Sequence, residues 1–427
     1  MKKINSILTA AIASLFIAPT AFATNGTNMT GVSAQASAMG GTGTAAYYGA
    51  ENVIINPAMI GKGSGTEFAF GGTVFKPSVS NDGLMGNTVD KANSNADLFM
   101  IPSVALSSRI NDNLSFGVGM FGTSGMGVDY NNATGSKGLT LSAQSQLQGM
   151  RIVPTVAYNS TNYGIGFSPI IQYSALDLNY KNVMSPTPST VGSGMSSDLG
   201  FGFTLGGYYD VSKEMTLGAT YTSAIQSTYK GQLSGASQPF VGLLSTAFSD
   251  TMEQPAEIKI GAAYTMGNIM LTGDMKQIRW SEAKGYREFG WQDQNVLALG
   301  LKYSGTGYWI GAGFNHADNP IKAQAANLAT GGTTDGAVIN MFNNMFFPAT
   351  TENHFSLGGG YELTKSVTLD GAIVYAPEVT TTVDTSGLFQ GMALYAGKPM
   401  SQAMAATSSN TTSHSQIGYS LSVRYKF

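Results

Sequence analysis

The sequence predicts an all-β protein: a closed, 14-stranded antiparallel transmembrane β-barrel whose amino-terminal segment folds into the lumen. Three observations support this fold class. The final residues, from Ile417 to Phe427, alternate strictly between apolar and small or polar side chains, and the chain ends on an aromatic residue. Segments with the same period of two recur along most of the chain. Only 11% of the residues are charged, and the 54 glycines, 20 tyrosines and 21 phenylalanines are unusual for a water-soluble protein.

The amino terminus has the pattern of a secretory signal peptide. Two lysines precede an apolar run over residues 7–17, and Ala21-Phe22-Ala23 supplies small residues at the cleavage positions. We therefore expect residues 1–23 to be removed on export. No later stretch reaches the roughly 18 consecutive apolar residues that a transmembrane helix needs. The chain has no cysteine, which fits an exported protein stabilised by sheet hydrogen bonds.

Residues 24–62 do not alternate and consist largely of small side chains, as in Ala34–Ala46. Small side chains permit tight packing in a confined space, and Asn56-Pro57 marks a turn. We interpret this segment as a hatch that plugs the lumen of a barrel formed by residues 63–427. A flexible periplasmic tail is the alternative interpretation.

Fourteen strands are predicted from the alternation, with glycine and threonine on many inward-facing positions, as a narrow and packed lumen requires. Their approximate bounds are 65–77, 97–109, 113–128, 144–159, 162–180, 197–211, 214–231, 255–266, 268–282, 293–304, 306–317, 352–363, 366–381 and 413–427. The connections alternate between short and long. The long ones are seven predicted outer loops: 78–96, 129–143, 181–196, 232–254, 283–292, 318–350 and 382–412.

Tyrosines precede five of the six short turns, which follow Arg109, Tyr158, Tyr209, Tyr264, Tyr303 and Tyr361. An amphipathic phenol is most stable where lipid meets water. The pattern therefore predicts a ring of tyrosines at one edge of the membrane, with the long loops on the other side.

Two outer loops carry apolar residues at helical spacing, which predicts short amphipathic helices. Each apolar stripe either binds a hydrophobic ligand or only docks on the barrel rim. The candidate ligand-binding residues are Phe240, Leu243, Leu244 and Phe248 in the fourth loop and Met341, Phe342, Met345 and Phe346 in the sixth.

Strand three is rich in glycine, including Gly122, Gly125 and Gly127. Glycine weakens a strand and often marks a bulge or bend, so these positions predict a kink that could open the wall. The general abundance of glycine is the alternative explanation.

Inward-facing charges are predicted at Arg151, Glu257, Lys259, Asp274, Lys276 and Asp370. Strands eight and nine are neighbours, so we expect Glu257, Lys259, Asp274 and Lys276 to form structural ion pairs across the wall. His316, His354 and His414 are scattered near the outer strand ends. They do not suggest a catalytic triad or a metal site, so we predict no catalytic residue, no metal and no cofactor. The net charge of -3 argues against a nucleic-acid partner.

Several local motifs together resemble one known family. They are Asn56-Pro57-Ala58, the glycine-rich third strand, Gln254–Ile258, Trp280-Ser281, Ala312–Phe314 and Tyr425–Phe427. The chain resembles the FadL/TodX channels of the outer membrane, which transport long-chain fatty acids and aromatic hydrocarbons. The resemblance covers nearly the whole chain after residue 23.

The resemblance implies a hatch-blocked barrel in which outer loops capture a ligand, an inner pocket receives it, and a gap at a kink in strand three releases it sideways. It assigns Asn56, Pro57 and Ala58 to the hatch and the three strand-three glycines to the lateral opening. The partners it implies are a hydrophobic ligand, outer-membrane lipid and lipopolysaccharide, and the barrel-assembly machinery, which would bind the carboxy-terminal strand. We expect a monomer.

The chain departs from the family pattern in two places. The third outer loop, about 181–196, is shorter than in fatty-acid members, so the capture groove would be shallower or would use the sixth loop. Strand five carries only Asp177 where the fatty-acid type has basic side chains for a carboxylate. This departure favours neutral hydrocarbons or other uncharged hydrophobic molecules.

The function predicted from the sequence is passive outer-membrane transport of small hydrophobic molecules. A general diffusion porin, the first alternative, would show ladders of inward-facing charge and typically about sixteen or more strands. An outer-membrane lipolytic enzyme would need a buried serine and histidine in register. An adhesin, the last alternative, would depend on its seven outer loops alone for binding.

Overall fold

The computed structural model describes residues 24–84, 91–133, 140–182 and 189–427. The predicted signal peptide and parts of the first three outer loops lie outside the described residues. The described residues form 14 long antiparallel strands: β1 (Thr66–Asn81), β2 (Phe99–Arg109), β3 (Leu114–Asp129), β4 (Gln144–Asn159), β5 (Tyr163–Asn182), β6 (Ser196–Asp210), β7 (Met215–Thr222), β8 (Glu257–Met266), β9 (Ile269–Ile278), β10 (Gln294–Gly305), β11 (Tyr308–Ala317), β12 (Asn353–Thr364), β13 (Val367–Asp384) and β14 (Ser409–Lys426).

The barrel is closed because each strand pairs with the next one and β14 pairs with β1, from Thr412–Asn81 to Lys426–Glu67. The predicted fold class and strand number are confirmed. One predicted strand, 214–231, is interrupted: β7 ends at Thr222, and Ile225–Thr228 pairs with Thr251–Gln254 in a separate hairpin. This hairpin folds inward, since Ile225 is fully buried over Gly200 and Gly202, which have no side chain to exclude it.

The outer surface of the wall is apolar and exposed, whereas the inward-facing residues are small or polar and mostly buried. In β6, for example, Leu199 and Phe201 are 55% and 70% exposed. A contiguous apolar belt of this kind is stable only against lipid. The tyrosines before five of the tight turns are all exposed on this surface, as the ring prediction requires: Tyr158, Tyr209, Tyr264, Tyr303 and Tyr361. In the described part of the chain, no helix is long and apolar enough to cross a bilayer.

The amino-terminal segment packs against the inward-facing residues of the wall. It contains the short strands Thr24–Asn25 and Asn28–Met29, helices α1 (Ala34–Ala38) and α2 (Asn52–Ile55), and a 3-10 helix, Pro57–Lys62. Wall glycines allow the backbones to approach closely: a Cβ atom on Gly313 of β11 would overlap the backbone of Gly40. The inward-facing glycines are therefore explained by this packing.

The outer loops contain helices α3 (Leu233–Ser237), α4 (Thr334–Phe346), α5 (Ser386–Tyr395) and α6 (Met400–Met404). The helix predicted in the sixth loop is confirmed by α4. The helix predicted over 240–248 in the fourth loop is wrong, because Gly242 has a left-handed backbone, with φ of 100°, that ends any helical run. The two helices of the seventh loop were not predicted.

Candidate functional site

The wall is incomplete between β2 and β3. The ladder that joins these strands ends at the pair Ser103–Phe121, and in the described residues they have no further pairing above it. At the outer end, the backbone N–H of Asn95 donates to the carbonyl of Asp129 at 2.7 Å. We call the interval between these two contacts, along residues 122–128 of β3, the window.

β3 bends at the lower edge of the window. Against β4, Gly122 pairs with Met150 and Ser124 pairs with Gly149, so Thr123 is an extra residue in a β-bulge. Residues 121–126 are all buried, whereas the rest of the strand alternates. The bulge thus lies where the strand-three glycines predict a kink: Gly122 precedes it, and Gly125 and Gly127 follow it.

The first residues of the hatch cover the inner side of the window. Asn28 pairs with Ser124 of β3, and the N–H of Gly125 donates to the carbonyl of Thr27 at 3.0 Å. Behind them, Gly26 packs so closely on the indole of Trp280 that an added Cβ atom would overlap the ring. Residues 24–29 therefore separate the window from the lumen.

A lumenal cavity adjoins the window. Thr123, the bulged residue, is part of its lining. The hatch contributes mostly apolar residues, including Met29, Val32 and Ile54, and the wall contributes charged ones. The lining of the cavity therefore combines apolar and charged groups. Its charged residues are Arg151, Glu257, Lys259, Asp274 and Lys276.

These charges are not paired as the sequence suggested. Lys259 and Lys276 are register partners in the β8–β9 ladder, so the two cations oppose each other. Lys259 Nζ lies 3.5 Å from Glu257 Oε2 on its own strand. Asp274 Oδ2 accepts hydrogen bonds from the N–H groups of Gly43 and Thr44, both at 3.0 Å. Among these four residues, no ion pair between the two strands is formed, and Asp274 Oδ2 is instead bound by the hatch.

Asn28 connects the window to this charged wall. Its side-chain amide donates to Glu257 Oε1 at 2.7 Å, and its side-chain oxygen accepts a hydrogen bond from Gln254. The same residue pairs with Ser124 at the window. A change in the charges around Glu257 would therefore act directly on the segment that covers the window.

The predicted hatch motif anchors the segment to β5 and β6. The Asn56 amide donates to the carbonyls of Thr44 and Gly207, at 2.6 and 3.1 Å, and Asn56 Oδ1 accepts from the N–H of Ala58. Pro57 begins the 3-10 helix that follows, and Lys62 at its end forms an ion pair with Asp210 of β6. The motif thus fixes the turn between α2 and the 3-10 helix and holds this turn against the wall.

The candidate ligand-binding residues of the two outer loops come together in one cluster. Phe342 of α4 has its ring centroid 5.6 Å from Phe240, 5.3 Å from Phe248 and 5.0 Å from Phe346. Met341 and Met345 are fully buried in it, Leu243 is 9% exposed, and Leu244 packs on its edge. We call this set the roof cluster. The sequence did not suggest that two separate loops would share a single core.

The three histidines do not converge. His316 Nδ1 lies 2.9 Å from the side-chain oxygen of Asn353, and His414 Nδ1 lies 2.7 Å from the carbonyl oxygen of Pro348 in the sixth loop. His354 is buried at the start of β12. Each contacts a different part of the outer rim.

A sequence model of the family described as "Outer membrane protein transport protein (OMPP1/FadL/TodX)" matches residues 10–427. A long-chain fatty acid transport protein of Escherichia coli O6:H1 is 21% identical over 334 residues, which are 66% of this chain and 74% of the relative. A protein of the same name from Salmonella typhi is 24% identical over 330 residues, again 66% and 74% of the two chains.

Solved structures share the fold. A Pseudomonas aeruginosa FadL homologue superposes with a TM-score of 0.70 at 14% identity, covering 94% of this chain and all of the other. The Pseudomonas putida toluene transporter TodX superposes with a TM-score of 0.66 at 19% identity, covering 95% of this chain and all of the other.

Proposed function

The chain belongs to the OMPP1/FadL/TodX family of outer-membrane transport proteins, and from this premise we propose that it is a passive channel that releases small hydrophobic molecules sideways into the membrane. One observation carries the proposal: the lumenal cavity and the window share the bulged residue Thr123, and among the described residues the segment 24–29 lies between them. A side exit suits an apolar cargo because it leads from the lumen directly into the hydrocarbon of the membrane.

The roof cluster is the proposed point of capture. Its aromatic and methionine side chains provide an apolar and adaptable surface for ligands of irregular shape. Leu244 and Phe248 are partly exposed at its edge, while Phe342 is fully buried. A cargo that inserts at this edge would part the rings and reach the lumen below. The proposed capture surface includes all eight candidate ligand-binding residues of the fourth and sixth loops.

Displacement of residues 24–29 is the proposed release step. Near the window they are held by the Asn28–Ser124 pair, the Gly125–Thr27 hydrogen bond and the polar contacts of Asn28. A net hydrogen bond contributes only about 0.5–1.5 kcal/mol. A few such bonds can be broken by the binding of a cargo, without an external energy source.

The proposed cargo is an amphipathic molecule with an acidic group, such as a fatty acid. Three cations, Arg151, Lys259 and Lys276, line the cavity together with two carboxylates, one of which the hatch occupies. Residues 170–179 of strand five include no basic residue, which favours neutral hydrocarbons, but the cavity receives its cations from β4, β8 and β9 instead. The curated relatives are long-chain fatty acid transport proteins, which supports this choice.

The function proposed here includes no catalysis. The two ring nitrogens of His414 contact the Pro348 carbonyl oxygen and the Gln416 amide nitrogen and not a serine hydroxyl, which is unlike the arrangement of a hydrolase. The low charge of the chain also disfavours a general porin. Contacts with lipopolysaccharide, recognition of β14 by the assembly machinery and a monomeric state stay predictions.

A reversible disulfide tests lateral release. The chain has no cysteine, and Asn28 and Ser124 are cross-strand partners, whose Cα atoms are roughly 4.5–5.5 Å apart and within disulfide range. We expect oxidised N28C/S124C to lose uptake of radiolabelled oleate in proteoliposomes and to recover it on reduction. The matched control, T73C/S420C, joins partners in the β1–β14 ladder and should transport in both states. Undiminished uptake with the window disulfide closed would refute lateral release.

A further inference from the structure

Glu51, at the start of α2 in the hatch, is a buried carboxyl group without a hydrogen-bond partner. The residue is 1% exposed, and neither of its side-chain oxygens has a partner among the described residues. Buried polar groups are normally hydrogen-bonded, and a buried ionised carboxylate is especially costly when no donor reaches it. The surroundings of Glu51 therefore favour its neutral, protonated form.

The cation of the wall that acts on Glu51 is already engaged. It is Arg424 of β14, whose guanidinium makes two hydrogen bonds to Asp370 of β13. Asp370 also accepts a hydrogen bond from Trp309 Nε1 at 2.7 Å and is 1% exposed. The Arg424–Asp370 pair is thus complete without Glu51.

A second acidic group of the wall faces the same part of the hatch. Glu67 of β1 is 3% exposed, and its Oε1 accepts the N–H of Ala50 at 2.7 Å. Its nearest cation is Lys426, whose Nζ lies 3.9 Å from Oε2. Lys302 of β10 lies beside this cluster, with its Nζ 5.2 Å from the centre of the Trp309 ring. Glu51 therefore docks between two wall carboxylates, Glu67 and Asp370, and one cation that is already engaged.

We propose that docking of the hatch segment 47–62 is linked to a proton: Glu51 carries the proton while the segment is docked and releases it when the segment leaves the wall. Undocking exposes the carboxyl group to water, where it ionises at its ordinary pKa. The linkage does not depend on the nature of the cargo.

The direction of the pH effect follows from the sign of the shift. Burial raises the pKa of Glu51 from 4.5 to about 8; Asp370 and Glu67 act in the same direction, and Arg424 opposes them. The docked segment binds more protons than the undocked one, so docking is strongest below the ordinary pKa and weakens as the pH rises toward 8. The undocked population should increase by up to about tenfold per pH unit between pH 5 and 8, and level off above that.

Other contacts confine the pH-dependent undocking to the part of the segment near Glu51. Lys62 pairs with Asp210, and the Arg109 guanidinium donates to the Gly61 carbonyl at 2.6 Å, so the far end of the segment has its own anchors. We therefore expect residues near α2 to loosen first, while the wall strands remain paired.

Hydrogen–deuterium exchange of the full-length protein in nanodiscs tests the proposal. Wild type and E51Q are compared at pH 5.5, 7 and 8.5, with peptides from residues 47–62 measured against wall peptides. Glutamine has nearly the shape of a protonated glutamate and cannot ionise. We expect the hatch peptides of E51Q to be protected more than those of wild type by about tenfold at pH 5.5 and by about a hundredfold or more at pH 8.5. The control E214Q removes an exposed carboxylate from the β6–β7 turn and should behave as wild type.

Equal pH dependence of the hatch peptides in wild type and E51Q would overturn the proposal. Infrared spectroscopy of the wild type is independent of how well the variant folds. A protonated carboxyl band present at pH 6 and lost near pH 8 supports the proposal, and the absence of any such band at pH 6 contradicts it.

Discussion

The side chain of Lys276 opposes that of Lys259 across the β8–β9 ladder, inside the barrel and on the wall of the cavity. Like charges at opposed positions destabilise a sheet by roughly 0.2–1 kcal/mol. Glu257 offsets part of this repulsion by contacting Lys259, but in the described residues Lys276 makes no ion pair or hydrogen bond. An anionic group of the cargo would supply the missing ion-pair partner of Lys276.

The K276M variant should therefore discriminate between cargo classes. We expect the half-saturation concentration for oleate uptake to rise about tenfold, equivalent to a loss of ~1.4 kcal/mol, while toluene uptake stays unchanged. K284M, which removes an exposed lysine in the fifth loop, is the matched control. If oleate and toluene respond alike, the cavity does not recognise an acidic group.

Removal of the bulged residue tests the role of the kink. Deletion of Thr123 leaves Gly122 and Ser124 opposite consecutive residues of β4, so the β3–β4 ladder can run without interruption. We expect a folded barrel that transports neither oleate nor toluene. Deletion of Asn132 in the second loop is the control and should leave uptake intact. Normal uptake after deletion of Thr123 would show that the kink is dispensable.

Truncation of Phe342 tests the roof cluster. Phe342 is fully buried and contacts rings from two loops, and a buried Phe→Ala change costs about 3–5 kcal/mol. We expect F342A to make the sixth loop sensitive to added protease and to weaken capture, with the barrel retained in a gel-mobility assay. Y395A, which truncates a residue that is 88% exposed, is the control. A protease-resistant sixth loop in F342A would contradict the packing of the roof cluster.

Loss of the Asn56 side chain tests the hatch anchor. Asn56 donates two hydrogen bonds and accepts one, two of them buried and one partly buried, and leaving buried partners unsatisfied costs roughly 1–3 kcal/mol. We expect N56A to loosen the hatch and to produce ion-conducting openings in planar bilayers. N162A, at an exposed position in the β4–β5 turn, should remain as closed as wild type. Identical conductance of N56A and wild type would exclude an anchoring role.

The barrel was predictable because strand alternation and tight turns are local signals. The same signals could have revealed the opposed lysines: Gly267 and Asn268 form the turn between β8 and β9, so residues equally distant from it, such as Lys259 and Lys276, must face each other. Register follows from turn position in a hairpin. This register excludes the expected ion pairs between Lys259 and strand nine at opposed positions, because a lysine occupies each side.

The remaining parts of the site depend on contacts between distant segments. Nothing in residues 24–29 indicates that Asn28 pairs with Ser124, because the segment is too short to show a period and its partner is far along the chain. The fourth loop shows the converse. Its apolar spacing suggested a helix, but the left-handed Gly242 prevents one, and the same residues are instead held by α4.

Thr24 is 4% exposed, and its carbonyl accepts a hydrogen bond from the Thr351 hydroxyl at 3.4 Å. A purification tag fused directly ahead of Thr24 would have to fit into this densely packed interior. It would displace residues 24–29 from β3. Recombinant material of that design would leak or bind cargo abnormally for reasons unrelated to the native chain.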